Sequence, residues 1–516
     1  MYSRSARKAA FSTVSHSFIC FALFIVSILF HARVSASVDE QINSALAPMA
    51  DGLAAIVFYA VPIAGVELPL IVVWLVLAAL LFTLYLGFIN ARGFTLAWRL
   101  AFGQYADPKS PGDISPFKAV ATAVSGTVGV GNIGGVAVAI MAGGPGATFW
   151  LILAGLLGMS TKLVECTLAV KYRSYHEDGT VAGGPMYYLN RGLAKRGWHK
   201  LGRSLGAFYA VAIVIGCMGI GNMFQSNQAY VQFVNVSGGE ASWFADRAWL
   251  FGLLLAAIVA AVIIGGIQSI SRVTGKLVPF MAVLYTISCV LILAYHADRV
   301  LPAFVLIFEG AFSPEGISGG MLGVMIIGFQ RALFSNEAGL GSASIAHAAV
   351  KTNHPASEGL VSLLEPFIDT VVICTLSSLV IITTVYGSPL MDSGLEGVAL
   401  TSAAFESTVS WSPYPLAIAA LLFAFSTMIS WAYYGRQAWQ YLVGDKPVLV
   451  QLFNLVFCGF VALGCVMQLE AVLKFSDALV FLIAVPNIIG LLIMLPEVKA
   501  ELGSYLKAIK NGEIER

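Results

Sequence analysis

Runs of about 20 mostly apolar residues recur from end to end of this 516-residue chain, and nothing else in it restricts the fold so strongly. A helix of that length crosses the hydrocarbon core of a bilayer. Inside the core every backbone amide and carbonyl must find its partner within the chain, which leaves only helices and closed barrels. Continuous apolar runs select the helix, so the expected fold is an all-α polytopic membrane protein. Composition agrees: 58% of the residues are hydrophobic and 11% are charged, against about 25% charged in soluble domains. A formal net charge of +1 gives no footing for nucleic acid or an acidic partner. The seven cysteines (Cys20, Cys166, Cys217, Cys289, Cys374, Cys458 and Cys465) fall almost all in apolar stretches and form no C-x-x-C pair. They read as small buried residues rather than a disulfide or metal framework. His347 and His354 stand near the end of one span without a carboxylate or cysteine at ligand spacing, so no resident metal is expected.

Residues 1–36 are expected to be a signal peptide. Arg4, Arg7 and Lys8 make a basic start, Phe18 to Phe30 an apolar core, and Val34-Ser35-Ala36 a small-residue cleavage site. An uncleaved first span is the alternative. Residues 37–67 read as an outer-surface N-terminal segment, with a short helix between Gln41 and Glu67. About eleven transmembrane helices follow, at 68–89, 117–141, 148–170, 204–234, 248–268, 277–297, 319–349, 360–386, 413–434, 448–468 and 473–495. Positive charge gathers in alternate connections: Arg92, Arg99 and Lys109, then Lys171, Arg173, Arg191, Lys195, Arg196, Lys200 and Arg203, then Arg272, Lys276, Lys351, Arg436 and Lys446. Those connections face the cytoplasm by the positive-inside rule. The mature N-terminus is then outside, the tail 496–516 cytoplasmic, and the location the cell inner membrane. No linker or soluble domain interrupts the chain.

The stretch Ser125 to Gly135 (SGTVGVGNIGG) sits in the middle of the second span. Each interior glycine costs a helix about 1 kcal/mol relative to alanine, and an unpaired backbone group in lipid costs several kcal/mol more. A helix that unwinds here would offer carbonyls to a cation and a half-helix N-terminus to a carboxylate. Close packing through small residues fits the glycines equally well. A second interruption, Phe334 to Ser342 (FSNEAGLGS), lies in the middle of 319–349. The two halves, 117–297 and 319–495, each hold five spans and each opens with its interrupted helix, in opposite orientation, after one extra helix at 68–89. Paired interrupted helices in an inverted five-plus-five repeat point to a binding site at the bilayer midplane.

Gln225 stands deep in an apolar helix, as a ligand-binding amide or an interhelical hydrogen bond. Ser426 and Thr427 offer adjacent hydroxyls suited to sodium, or to back-bonding on their own helix. Charges inside spans invite a function. Lys162 and Glu165, three apart, are expected to neutralise each other. Asp369 has no basic neighbour at helical spacing and suits a sodium ion. Arg331 and Glu337 flank the second interruption and are expected to tie it to another span.

The strings GTVGVGNIGG, STKLVECTLAVKYR, GGPMYYL, GNMFQSNQ, FSNEAGLGSASIAHAA and FAFSTMISWAYYG resemble the alanine or glycine:cation symporter family, across about 68–495. The resemblance implies the leucine-transporter fold and a carrier, not an enzyme, that imports alanine or glycine with sodium as coupling ion and no other cofactor. It implies that amides of Gly129 and Gly131 meet the substrate carboxylate, with Gln225, Phe334, Asn336, Thr427 and Trp431 completing the pocket. It implies one sodium site from Ser125, Val128, Ser426 and Thr427, and another from Thr127, Asn132 and Asp369. Some members prefer glutamine. A proton-coupled carrier using Asp369 or Glu337, a channel and an intramembrane enzyme are the rivals; the chain has no His-Glu-x-x-His, nucleophile elbow or paired catalytic carboxylates.

Overall fold

The computed structural model describes Pro48 and residues 51–514, except 64–65, 108, 176–179, 314–319 and 468. The expected signal peptide at 1–36 therefore lies outside the described residues. Of the segment 37–67 expected at the outer surface, 51–57 is helical, and the chain then forms an antiparallel hairpin, β1 (Ala60–Ile63) with β2 (Val66–Pro69). The hairpin corrects the single helix expected up to Glu67. Pro62 and Pro69 cannot donate within a helix, and Val61, Ile63 and Val66 favour extended backbone.

Helix α1 (Leu70–Tyr85) and the short α2 (Phe94–Ala101) precede a bent pair, α3 (Pro116–Thr127) and α4 (Val136–Gly143). These two are inclined by 52° and joined through a π-helical turn, Gly131–Gly135. Next come α5 (Ala147–Lys171), a two-residue pairing of β3 (Ser174–Tyr175) with β4 (Val181–Ala182), and α6 (Pro185–Ala194). α7 (His199–Met218) runs into α8 (Phe224–Val236) through a second π turn at Gly219–Met223. α9 (Ala248–Ile263), α10 (Gly266–Tyr295) and α11 (Ala297–Phe312) follow. The second broken span is α12 (Gly320–Asn336), an irregular stretch, and α13 (Ser344–His347). α14 (Pro355–Val361) passes through Leu364–Pro366 and a π segment, Phe367–Cys374, into α15 (Thr375–Thr384). The chain ends with α16 (Gly397–Glu406), α17 (Pro413–Val443), α18 (Pro447–Val466) and α19 (Leu469–Lys510).

Proline opens α3, α6, α14, α17 and α18 at the first helical position, where the missing N–H has no partner to lose. Each of the eleven expected spans coincides with a helix or a helix pair. Seven described helices are long and apolar enough to cross a bilayer, and the bent α3–α4 pair makes an eighth. α1 and α9, at 16 residues each, and the broken α12, at 17, fall short of that length. Several helices outrun their apolar stretch. α10 begins at Gly266 instead of 277 and α19 reaches Lys510 instead of 495, because a helix need not end where the hydrocarbon does.

α17 is the axis of the bundle, packed against α3, α7, α8, α10 and α18. Trp431, Tyr434, Phe423 and Leu416 on it are fully buried. α10 and α11 turn Phe280, Val283, Ile287, Leu301, Phe304 and Phe308 outward, an apolar surface suited to lipid chains. At one end of the bundle the segments flanking the broken spans are strapped together. Asp113 and Ile114 donate to the Ala349 carbonyl, Lys351 donates back to Ile114, and Ile114 bridges Val350. The Arg173 guanidinium, at the end of α5, holds the carbonyls of Ala348, Val350, Pro111 and Thr352 at 2.6–3.0 Å.

Candidate functional site

α3 stops because Val128 turns extended (φ −75°, ψ 92°) before Gly129. The peptide groups released there are taken by side chains, one from the break itself and the others from neighbouring helices. The Gly129 amide donates to Asn132 Oδ1 at 2.9 Å, and the Val130 amide donates to Gln225 Oε1 on α8 at 3.1 Å. Thr427 Oγ1 on α17 donates to the Ser125 carbonyl at 2.9 Å, and Trp431 Nε1 to the Gly126 carbonyl at 3.2 Å. The approach is close: a Cβ on Gly129 would lie 2.9 Å from Thr427 Oγ1 and 3.0 Å from Gln225 Oε1. Only glycine lets two side chains come this near to the main chain.

The second break begins after Asn336. Glu337 takes a left-handed conformation (φ 56°), and Gly339 and Gly341 also have positive φ. The amides of Gly339 and Gly341 both donate to Glu165 Oε1, at 2.9 and 3.0 Å, and Asn487 Nδ2 adds a third bond at 2.7 Å. The Glu337 carboxylate accepts from Ser342 and, at 3.0 Å, from Trp431 Nε1. One indole N–H therefore faces both breaks, through Gly126 on one side and Glu337 on the other.

Between the breaks lies a buried polar centre. Asn132 Nδ2 donates to Asp369 Oδ1 at 2.6 Å and to Ser335 Oγ at 3.0 Å. Ser335 and Thr370 hydroxyls donate to Asp369 Oδ2 at 2.8 and 2.6 Å. Asp369 and Asn132 are fully buried. No cationic side chain contacts Asp369 among the described residues, so three neutral donors carry its charge.

The arrangement brings most of the expected residues together and turns some away. Ser125, Gly129, Asn132, Gln225, Thr427 and Trp431 meet at the first break, and Asp369 joins through Asn132. Phe334 packs edge-on against Phe224 with centroids 5.8 Å apart, 3.5 Å from where a Gly131 Cβ would stand. The Val128 amide stays on the Val124 carbonyl at 2.7 Å. Thr127 and Ser426 back-bond to Val124 and Phe423, at 3.2 and 3.0 Å. Asn336 caps its own break, accepting from the Ala338 amide and donating to Thr370. Ser335 and Thr370 escaped the sequence reading, although both stand next to residues it singled out.

Two expectations need correction. Lys162 and Glu165 do not neutralise each other: Lys162 Nζ lies 3.3 Å from Glu365, while Glu165 binds amides of the second break. The bend at Gly339 and Gly341 brings N–H groups to Glu165 that no helical spacing reveals. His347 does have acidic neighbours, Glu358 and Glu365, which are 11 and 18 residues away along the chain. A turn between α13 and α14 returns them to it. Arg331, as expected, reaches another span, 3.6 Å from Asp477 on α19.

The sequence profile of the Sodium:alanine symporter family matches residues 14–516. The sodium/alanine symporter AgcS of Methanococcus maripaludis is 40% identical over 86% of this chain and 95% of its own length. A probable sodium/glutamine symporter, GlnT of Bacillus subtilis, is 33% identical over 86% of this chain and 89% of its own. Among solved structures, MhsT in complex with L-phenylalanine superposes with a TM-score of 0.53 over 76% of this chain and 88% of that one, at 14% identity. That likeness is one of fold, the leucine-transporter fold of inverted repeats and broken helices.

Proposed function

The chain belongs to the sodium:alanine symporter family, a family of transporters and not enzymes, and from that premise we propose that it imports a small neutral amino acid, alanine or glycine, together with sodium. Alternating access is the mechanism: sodium orders the two breaks, the amino acid docks between them, and a four-helix unit rocks to expose the site inward. The observation that carries this reading is the pair of facing breaks, whose main-chain groups are held by exchangeable side-chain partners.

In this reading the substrate carboxylate takes the amides near Gly129 and Gly131, displacing Asn132 Oδ1 and Gln225 Oε1. Gln225 then turns to the substrate, with Phe334, Asn336, Thr427 and Trp431 closing the pocket. One sodium sits among the Ser125 and Val128 carbonyls and the Thr427 and Ser426 hydroxyls, Ser426 reaching it by rotation about χ1. The 2.9 Å contact of Thr427 with Ser125 supports this pairing. A second sodium sits by Thr127, Asn132 and Asp369, where a buried carboxylate touched by no cationic side chain among the described residues favours a bound cation. The protein lies in the cell inner membrane, mature N-terminus outside and C-terminus cytoplasmic, with lipid and no nucleic acid as surroundings.

The driving force suffices. One charge crossing about 100 mV gains about 2.3 kcal/mol, and a tenfold sodium gradient adds about 1.4 kcal/mol. Together these support accumulation on the order of several hundred-fold per sodium. The test is uptake of labelled amino acids into proteoliposomes. Alanine or glycine uptake should saturate, vanish when choline replaces sodium, and rise with an inside-negative potential. Preference for glutamine would move the substrate; uptake following the pH gradient without sodium would replace the ion; an unsaturable current would overturn the carrier.

A further inference from the structure

Beyond the two breaks, four buried ionisable side chains form a line. Lys162 on α5 stands 3.3 Å from Glu365 Oε2, and Glu365 Oε1 contacts His347 Nε2. His347 Nδ1 lies 2.6 Å from Glu358 Oε1 on α14. None of the four is more than 1% exposed. Each helix supplies one part: α5 the lysine, α13 the histidine, α14 and the turn after it the two glutamates.

A neutral imidazole has one N–H and one lone pair. Here both ring nitrogens face carboxylate oxygens, so a neutral ring would aim its lone pair at an anion. A proton on each nitrogen satisfies both contacts. It also balances charge, two cations against two anions, in a place where a net charge is costly. A resident metal fits poorly, although Cys166, His347 and Glu365 offer atoms within 4.8 Å of one another. The lysine ammonium already stands on Glu365, and both histidine nitrogens are engaged.

We propose that Lys162, Glu365, His347 and Glu358 form a proton-binding site that fastens the inner half of the second broken span to α5 and α14. Glu358 is its outlet. It lines a cavity of about 600 Å³ with Tyr105, Asp107, Ser110, Lys351 and His354. The proton leaves His347 Nδ1 for the Glu358 carboxylate and passes to water in the cavity. The ring stays neutral with Nε2–H on Glu365, and the four residues are left with one net negative charge. α13 then loses its hold on α14, and the carrier slows as the medium on that side becomes alkaline.

Other ionisable groups face the site from each packed element. Glu165 and Glu337 face Lys162, Asp369 lies within its field, and Cys166 and Tyr434 face Glu365. Arg173 and Tyr505 face Glu358. Among the described contacts, the ring nitrogens meet only the two glutamates.

Glu358→Gln separates this from a merely structural role. A carboxamide donates to a neutral Nδ1, and the set Lys162, Glu365, neutral His347 and Gln is uncharged without the extra proton. Alanine exchange in proteoliposomes, with equal sodium and equal pH on both sides, is measured for both proteins from pH 6.5 to 9.5. The ratio of wild-type to Glu358→Gln rate should fall at least fivefold across that range, which also cancels any ionisation of the substrate. A constant ratio overturns the proposal. The readout rests on the carrier reading, so a second measurement does not: solid-state nitrogen NMR of histidine-labelled wild type at pH 8. A doubly protonated ring is expected, and spectra with every ring singly protonated overturn the proposal whether or not the variant inserts.

Discussion

Thr427 and Ser426 are neighbours on α17, yet one hydroxyl crosses to the Ser125 carbonyl and the other folds back on Phe423. A hydroxyl oxygen on a bound sodium makes an ion–dipole contact on the scale of a hydrogen bond to a charged group, about 1.5–3 kcal/mol. Thr427→Ala should therefore raise the sodium concentration for half-maximal uptake by about tenfold or more. An unaltered sodium activation curve would take Thr427 out of the ion site. At this scale polarity in an apolar run is a readable signal, since burying an amide or carboxylate without a partner is expensive. Gln225 and Asp369 stood out for that reason, whereas Asn132 came only with the family resemblance. Which partner each one takes was not readable. The bend at Gly339 turns main-chain amides toward Glu165, and the return of α14 toward α13 sets two glutamates on His347; neither follows a helical spacing.

The broken helices are the elements on which the site depends. In both, glycine does what no other residue can: at Gly129 it admits two side chains to the main chain, and at Gly341 it holds φ at +78° with Pro185 Cγ only 2.4 Å from a would-be Cβ. Gly129→Ala should abolish uptake, because its methyl would press on Thr427 and Gln225 at 2.9 and 3.0 Å. The protein should still insert and elute as wild type on size exclusion, the strain being confined to the break. Uptake within twofold of wild type would mean that the first break does not hold the substrate. Both interruptions were legible because glycine clusters are costly in mid-membrane helix. The π turns at Gly219–Met223 and Phe367–Cys374 were not, since one extra residue per turn leaves hydropathy unchanged. α11 and α16 also escaped notice, lying in connections with no full apolar span to announce them.

Across the whole molecule, hydropathy located the bundle segment by segment, and alternating charge suggested its orientation. The contact between the two repeats at their strapped end carried no sequence signal, because the acceptors across it are peptide carbonyls. Arg173→Ala should release that strap. A Val350→Cys reporter, at a position with no exposed surface in the intact protein, should react with a maleimide at least tenfold faster in the Arg173→Ala background, and uptake should fall. Equal labelling rates would count against Arg173 as the fastening. Of the five acceptors of its guanidinium, one is the Tyr175 hydroxyl beside it, and the four that span the strap are carbonyl oxygens, which every amino acid possesses. The side chains of Pro111 and Thr352 are therefore not what the latch reads, whereas Ala348 and Val350, with no exposed surface, are held by their packing as well. The vulnerability is gathered instead at Arg173, where even lysine, lacking the planar fork, would be a poor replacement, and at Gly112, where a Cβ would stand 2.2 Å from the Val350 carbonyl oxygen.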